Sequence, residues 1–100
     1  MVKLSFQNIG FHGQSGVGIV TMKEDRIDWR DRGNAHSREI MRDDINSLSW
    51  LLFGAKCHLK VFLKDSQVFR LDGFSKSDFE GVQNFAKDYY GIVVSAAEVT

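Results

Sequence analysis

The sequence lacks proline, contains a single cysteine and carries no net charge. One cysteine cannot form an internal disulfide, and the chain does not begin with a signal-peptide pattern, so we expect an intracellular protein. No apolar run approaches the ~18 residues that a membrane-spanning helix needs. The 13 Lys and Arg residues are balanced by 13 Asp and Glu residues. This balance argues against nucleic acid or an anionic membrane as the main partner, because affinity for phosphate comes from clustered cations.

The length of 100 residues suits one domain. A chain of this size can bury roughly two thirds of the surface that it exposes when unfolded. The sequence has no repeat and no low-complexity tract that would indicate a linker. We therefore expect a single domain over residues 1–100.

Short stretches of alternating apolar and polar residues, separated by Gly, Asp and Asn, fill the first 71 positions. They predict strands at 4–9, 17–22, 26–30, 37–42, 45–53, 58–63 and 67–71. In the third of these strands, Ile27 and Trp29 are expected to point inward. Short strands with closely spaced turn signals are typical of a small antiparallel barrel or sandwich.

A helix is predicted over about 75–90. Ser75 suits the N-cap, and Asp78 places a carboxylate where the free amides and the helix dipole favour one. Phe74 and Phe79 occupy the two positions of a hydrophobic staple, and Gly91 follows as a left-handed terminator. The apolar stripe consists of Phe79, Val82, Phe85, Ala86 and Tyr89. One side of this helix must therefore be buried, and we expect it to close the open end of the sheet.

The segment from Leu71 to Tyr90 also carries a family resemblance. Its motifs are Leu71-Asp72-Gly73-Phe74, in which Asp72-Gly73 is predicted to form a tight turn, then Ser77-Asp78-Phe79-Glu80, Asn84-Phe85-Ala86-Lys87 and Tyr90. Asp44-Ile45, Trp50, Leu59-Lys60, Lys64 and Val68 extend the similarity toward the N-terminus. These positions resemble the N-terminal dimerisation domain of the small subunit of the FACT histone chaperone, the structure-specific recognition protein family. The resemblance implies a mainly β fold with one C-terminal helix, a pleckstrin-homology-like (PH-like) antiparallel barrel or sandwich capped by the helix.

The resemblance also implies a function. A domain of this family is a protein–protein interaction module that pairs with a related domain of the large FACT subunit. The resemblance further implies that the full complex acts on histones and nucleosomes. It would do so on chromatin in the nucleus, during transcription and replication. We expect no direct DNA binding by this domain. Two alternatives remain, a PH-like domain that binds phosphoinositides and a free-standing scaffold, although the loop at 10–18 lacks the Lys and Arg that phosphoinositide binding needs.

The sequence contains no persuasive catalytic or metal-binding pattern. The glycines between Gly10 and Gly18 match neither a Walker A loop nor a dinucleotide-binding motif. The soft metal-ligand candidates His12, His36, Cys57 and His58 lack the spacing of a zinc site. Asp43 and Asp44 are neighbours, which point to opposite sides of an extended chain. We therefore expect no cofactor, no metal and no enzymatic activity.

The most informative anomaly is the run from Leu48 to Phe53, which is apolar on both faces of a predicted strand. Leu48, Trp50 and Leu52 share one face, and Leu51 and Phe53 share the other. Either the C-terminal helix covers the outer face or another chain does. The candidate partner-binding residues are Trp50, Leu51 and Phe53, followed by Trp29 on the hairpin of mixed charge. The segment Lys23 to Asp44, with six basic and seven acidic residues, is otherwise expected to form a solvated face.

Overall fold

The computed structural model describes residues 2–14, 16–33 and 36–99. The strands are β1 (Lys3–Phe11), β2 (Gly18–Lys23), β3 (Arg26–Asp31), β4 (Ser37–Met41), β5 (Ile45–Phe53), β6 (Lys56–Leu63), β7 (Val68–Phe74) and β8 (Ser95–Val99). They form one sheet in the order β4-β3-β2-β1-β7-β6-β5-β8. All neighbours are antiparallel except β5 and β8, which run parallel. The seven strands predicted before the helix are confirmed.

The sheet is divided by a bend in β1. Its first residues pair with β2, the register shifts between Phe6 and Ile9, and its last residues, Gly10 and Phe11, pair with β7. Asn8 lies at the bend with a φ of 60°. A bulge of this kind bends a strand, so one strand serves two partners. We call β1–β4 the first half-sheet and β5–β8 the second half-sheet.

The inner faces of the two half-sheets share one apolar core. Trp29 of the first half-sheet is 2% exposed, and Leu59 and Leu71 of the second are 1% and 0% exposed. Phe11 joins the two halves, because its ring lies 5.5 Å from that of Trp29 and 5.4 Å from that of Phe69. The inward orientation predicted for Ile27 and Trp29 is confirmed.

The tight turn predicted at Asp72-Gly73 is wrong. Both residues belong to β7, and the register between β6 and β7 shifts there, between Cys57 and His58. Gly73 has a φ of 113°, and a Cβ atom at this position would lie 2.7 Å from the carbonyl oxygen of Asn8. The pair therefore forms a bulge where β7 passes closely over the bend of β1, and the missing side chain allows this approach.

The predicted helix is confirmed as a helical segment with three kinds of turn. A 3-10 turn (Lys76–Asp78) leads into the α-helix α1 (Phe79–Phe85), and a π turn (Ala86–Tyr90) completes the segment. Ser75 is the extended N-cap residue, and its backbone N–H donates to Asp78 Oδ2 at 2.9 Å. Gly91 ends the segment with a φ of 68°.

The π turn changes which tyrosine is buried. The predicted stripe continues from Phe85 to Tyr89, yet Tyr90 is 9% exposed and Tyr89 is only half-buried. A π turn is wider than an α turn, so the residue that follows the buried positions shifts by about one place along the chain. Tyr90 therefore reaches the core edge in place of Tyr89.

Strand β8 was not predicted from the sequence, because no strand was expected after the helix. Its residues pair in parallel with β5, from Ser49 opposite Ser95 to Phe53 opposite Val99. A stretch rich in alanine has little intrinsic preference for a strand. Here the open edge of β5 supplies the backbone hydrogen bonds that make the stretch extended. No helix within the described ranges is long and apolar enough to cross a membrane.

Candidate protein interaction surface

The two apolar faces of β5 have different environments. Trp50 is 4% exposed, and its indole ring lies 5.4 Å from the ring of Phe79 in α1. The helical segment therefore packs on the inner face, beside Trp50, and the alternative that it covers the outer face is wrong. Leu51 and Phe53 lie on the opposite side of β5, where Phe53 is 46% exposed and Leu51 is half-buried.

Trp29 and Trp50, two of the four partner-binding candidates, are buried in the domain. Trp29 is 2% exposed, and its Nε1 donates to the carbonyl oxygen of Ile9 at 2.8 Å. Trp50 packs between Phe74 and Phe79 in tilted contacts, with ring distances of 5.2 and 5.4 Å. Both indoles are parts of the core, because inward positions of β3 and β5 carry them. Of the four candidates, the structure leaves Leu51 and Phe53 at the surface.

Strand pairing places a continuous row of side chains across the outer face of the second half-sheet. Leu51 lies opposite His58 on one side and Ala97 on the other, and His58 is paired with Asp72. Phe53 lies opposite Lys56. The Phe53 ring also meets the His58 ring edge-on, with centroids 4.8 Å apart and an interplanar angle of 88°. We call Leu51, Phe53, Lys56, His58 and Lys60 the outer patch.

A network of two hydrogen bonds and one ion pair borders the outer patch. Asp72 Oδ1 is hydrogen-bonded to His58 Nδ1 and lies 2.8 Å from Arg70 Nε. Arg70 Nη2 in turn lies 3.0 Å from His12 Nδ1. A guanidinium can only donate, so His12 Nδ1 is the acceptor in this contact. The sequence does not predict this network of contacts. Its members meet only because β7 pairs with β6 on one side and with the end of β1 on the other.

The hairpin of mixed charge is tied together by ion pairs. Asp28 lies 2.7 Å from Lys23 Nζ and 3.1 Å from Arg26 Nε, and Arg26 also lies 3.0 Å from Asp25. The Tyr90 hydroxyl lies 2.7 Å from the carbonyl oxygen of Lys23 and 3.0 Å from that of Arg26. Burial raises the pKa of Tyr90, and the nearby carboxylates of Asp25 and Asp28 raise the pKa further.

The candidate metal ligands are dispersed. Cys57 is fully buried, His58 faces outward beside it, and His12 and His36 are exposed. Within residues 2–14, 16–33 and 36–99, no three His, Cys, Asp or Glu side chains are grouped so that they could hold a metal ion.

Comparison with known proteins gives consistent relatives. The chain is 30% identical over 94 residues to the FACT complex subunit pob3 of Emericella nidulans, across 94% of this chain and 16% of that protein. It is 30% identical over 89 residues to the FACT complex subunit SSRP1 of Arabidopsis thaliana, across 87% of this chain and 14% of that protein. The chain thus spans a small fraction of the length of the relatives it matches.

A solved structure and a family model match over almost the whole chain. The structure, described as the Spt16D Pob3N heterodimer, aligns with a TM-score of 0.91 and 21% identity over 100% of this chain and 56% of that chain. This likeness confirms the predicted PH-like fold. The family model, described as the POB3-like N-terminal PH domain, matches residues 4–96. The chain therefore belongs to the family of POB3-like N-terminal PH domains, and the predicted resemblance is confirmed.

Proposed function

We propose that this domain pairs with a related domain of the large FACT subunit and so joins the two subunits of a histone chaperone. The observation that carries the proposal is membership of the POB3-like family over residues 4–96. A similar solved structure contains Pob3N in a heterodimer with Spt16D, a domain of the large subunit. The relatives are named as FACT complex subunits. Histone and nucleosome handling on chromatin in the nucleus is proposed for the full complex.

We propose Leu51 and Phe53 as the apolar anchors of this pairing. Both lie on the outer face of β5, away from the helix and the core, and Phe53 keeps 46% of its surface exposed. Fully burying one large apolar side chain contributes about 1.5–3 kcal/mol, which makes a single phenylalanine a substantial anchor. These two side chains are available for an interaction because the core is complete without them.

Phosphoinositide binding has less support. In many PH domains the loop between the first two strands carries basic side chains, and here the residues from His12 to Val17 include no Lys or Arg. A loop of this composition has no cation with which to bind a phosphorylated headgroup. The pairing function is therefore the better supported of the two.

The pairing is tested by mixing the chain with the purified large FACT subunit and measuring association by calorimetry or co-purification. The wild-type chain should bind. Phe53→Asp and Leu51→Asp should remain folded and lose binding, because an unpaired carboxylate in an apolar contact costs several kcal/mol. The matched control is Ile19→Asp, since Ile19 is also 46% exposed but lies on the first half-sheet.

Circular dichroism on the same variants separates folding from binding. A wild-type chain that fails to bind the large subunit would contradict the proposed function. A folded Phe53→Asp variant that binds like the wild-type chain would leave the function standing and would place the contact elsewhere.

A further inference from the structure

The outer patch combines an apolar centre with an uneven distribution of charge. Its centre is formed by Phe53 and Leu51, and Ala97 of β8 lies exposed beside Leu51. Lys56 is paired with Phe53 across the strands, and Lys60 occupies the outward position two places beyond His58. The two lysines therefore border the apolar centre along β6.

The cations of this face exceed its anions. Of the outward-facing side chains of β5, β6 and β7, only Asp72 is a carboxylate. His58 and Arg70 already bind Asp72 from two sides. Neither Lys56 nor Lys60 forms an ion pair with any residue in the described part of the chain. The patch thus presents two ammonium groups that no described carboxylate pairs with.

We propose that the outer patch docks onto an apolar surface of the large subunit that is bordered by Asp or Glu side chains. This inference rests on the proposed function and specifies the chemistry of the partner. Covering Phe53 would bring Lys56 and Lys60 to the edge of the contact and partly out of water. Opposing carboxylates would offset that desolvation, whereas an uncharged or basic border would leave it uncompensated.

The same charges argue against a second copy of this chain as the occupant. Two copies related by a twofold axis would present the same patch to each other. Such a contact would place Lys56 and Lys60 of both copies in one interface, and like charges in one contact oppose association. A different chain, with an apolar surface for Phe53 and Leu51 and acidic side chains for Lys56 and Lys60, complements both the apolar centre and the charges of the patch.

Charge reversal tests the inference on the folded chain with the purified large subunit. Lys56→Glu/Lys60→Glu should weaken binding at least about tenfold at ~0.1 M salt, and the difference should shrink at ~0.5 M salt as the charges are screened. The matched control is Lys3→Glu/Lys87→Glu, which reverses two exposed lysines on β1 and the π turn and should bind like wild type. Circular dichroism confirms that each variant is folded.

The milder variant Lys56→Gln/Lys60→Gln should weaken binding by a smaller factor, about threefold, and serves if charge reversal disturbs the fold. A folded variant of either kind that binds as tightly as wild type, while wild type itself binds, would overturn the acidic border and leave the proposed function intact. Failure of wild type to bind would overturn both. Self-association of the wild-type chain that Phe53→Asp abolishes would assign the patch to a second copy and overturn the inference.

Discussion

At the scale of single residues, Tyr90 makes a polar contact between distant parts of the fold. It is carried by the π turn, and its hydroxyl reaches the backbone carbonyls of Lys23 and Arg26 in the hairpin between β2 and β3. Those residues are more than 60 positions away in the sequence. The Tyr90 hydroxyl therefore links the end of the helical segment to the first half-sheet by hydrogen bonds.

Tyr90→Phe should destabilise the domain by about 1 kcal/mol near pH 7, because the ring stays buried while the part-buried hydrogen bonds of the hydroxyl to the carbonyls of Lys23 and Arg26 are lost. The pKa of Tyr90 is raised in the folded state, so the unfolded chain ionises first as the pH rises. Stability from this hydroxyl is complete below the ordinary tyrosine pKa of about 10 and declines above it. Urea unfolding from pH 7 to pH 11 should show the gap between wild type and Tyr90→Phe narrowing. Tyr89→Phe, at a half-buried position, is the control for loss of a tyrosine hydroxyl.

At the scale of elements, the turn-like residues of this chain act in two different ways. Ser75 and Asp78 begin the helical segment as their types predict, through the bond from the Ser75 N–H to Asp78 Oδ2. Asp72-Gly73 does not turn the chain but forms a bulge inside β7. The difference arises because the cap uses contacts three residues apart, whereas the bulge is imposed by β1.

Asp78→Ala should cost about 1 kcal/mol of folding stability, because it removes the capping carboxylate and its interaction with the helix dipole. Asp88→Ala is the control in the same segment. Asp88 is exposed within the final turn, where a negative charge opposes the dipole, so its removal should be neutral or slightly stabilising. Equal losses for the two variants in chemical denaturation would show that the capping box does not stabilise the helix.

Gly73→Ala should destabilise by about 3 kcal/mol or more, because a side chain is strained at positive φ and would collide with the backbone of β1. The carbonyl oxygen of Asn8 lies 2.7 Å from the position that the new Cβ would take. Gly33→Ala is the control, since nothing lies within 4 Å of its Cβ position, and it should stay within about 0.5 kcal/mol of wild type. Similar melting temperatures for the two variants would contradict the bulge.

At the scale of the whole molecule, two half-sheets enclose one core. Their outer faces differ in the charged and apolar side chains that they carry. The outer side of the first half-sheet carries the paired charges of Lys23, Arg26 and Asp28. The second half-sheet carries the outer patch, where apolar side chains lie beside lysines that form no ion pair in the described part of the chain. This asymmetry is why we propose the second half-sheet as the protein-binding side.

A domain that binds only protein should gain no stability from small ligands. Zinc, ATP and inositol hexakisphosphate should each leave the melting temperature of the isolated chain unchanged. A ligand present at about 100 times its dissociation constant would add roughly 2.7 kcal/mol, which a thermal-shift measurement detects easily. A phosphoinositide-binding PH domain measured alongside provides the positive control. One reproducible shift of this chain would argue for a ligand site in addition to the outer patch.

The sequence by itself determined the features that depend on local chemistry. Alternation of apolar residues predicted the first seven strands, and the cap at Ser75 and the terminator Gly91 predicted the ends of the helical segment. These signals are readable because each depends on residues only two to four positions apart. The motifs between Asp44 and Tyr90 likewise indicated the family from residue identities alone.

The tertiary structure decided what depends on distant partners. Ser95–Val99 is a strand because the edge of β5 is open, and Gly73 is a bulge because β1 passes beside it. The sequence showed that β5 is apolar on both faces, but only the docking of the helix against Trp50 identifies the face with Phe53 as the exposed one. The side on which a helix packs is set by the path of the whole sheet, and no local pattern records it.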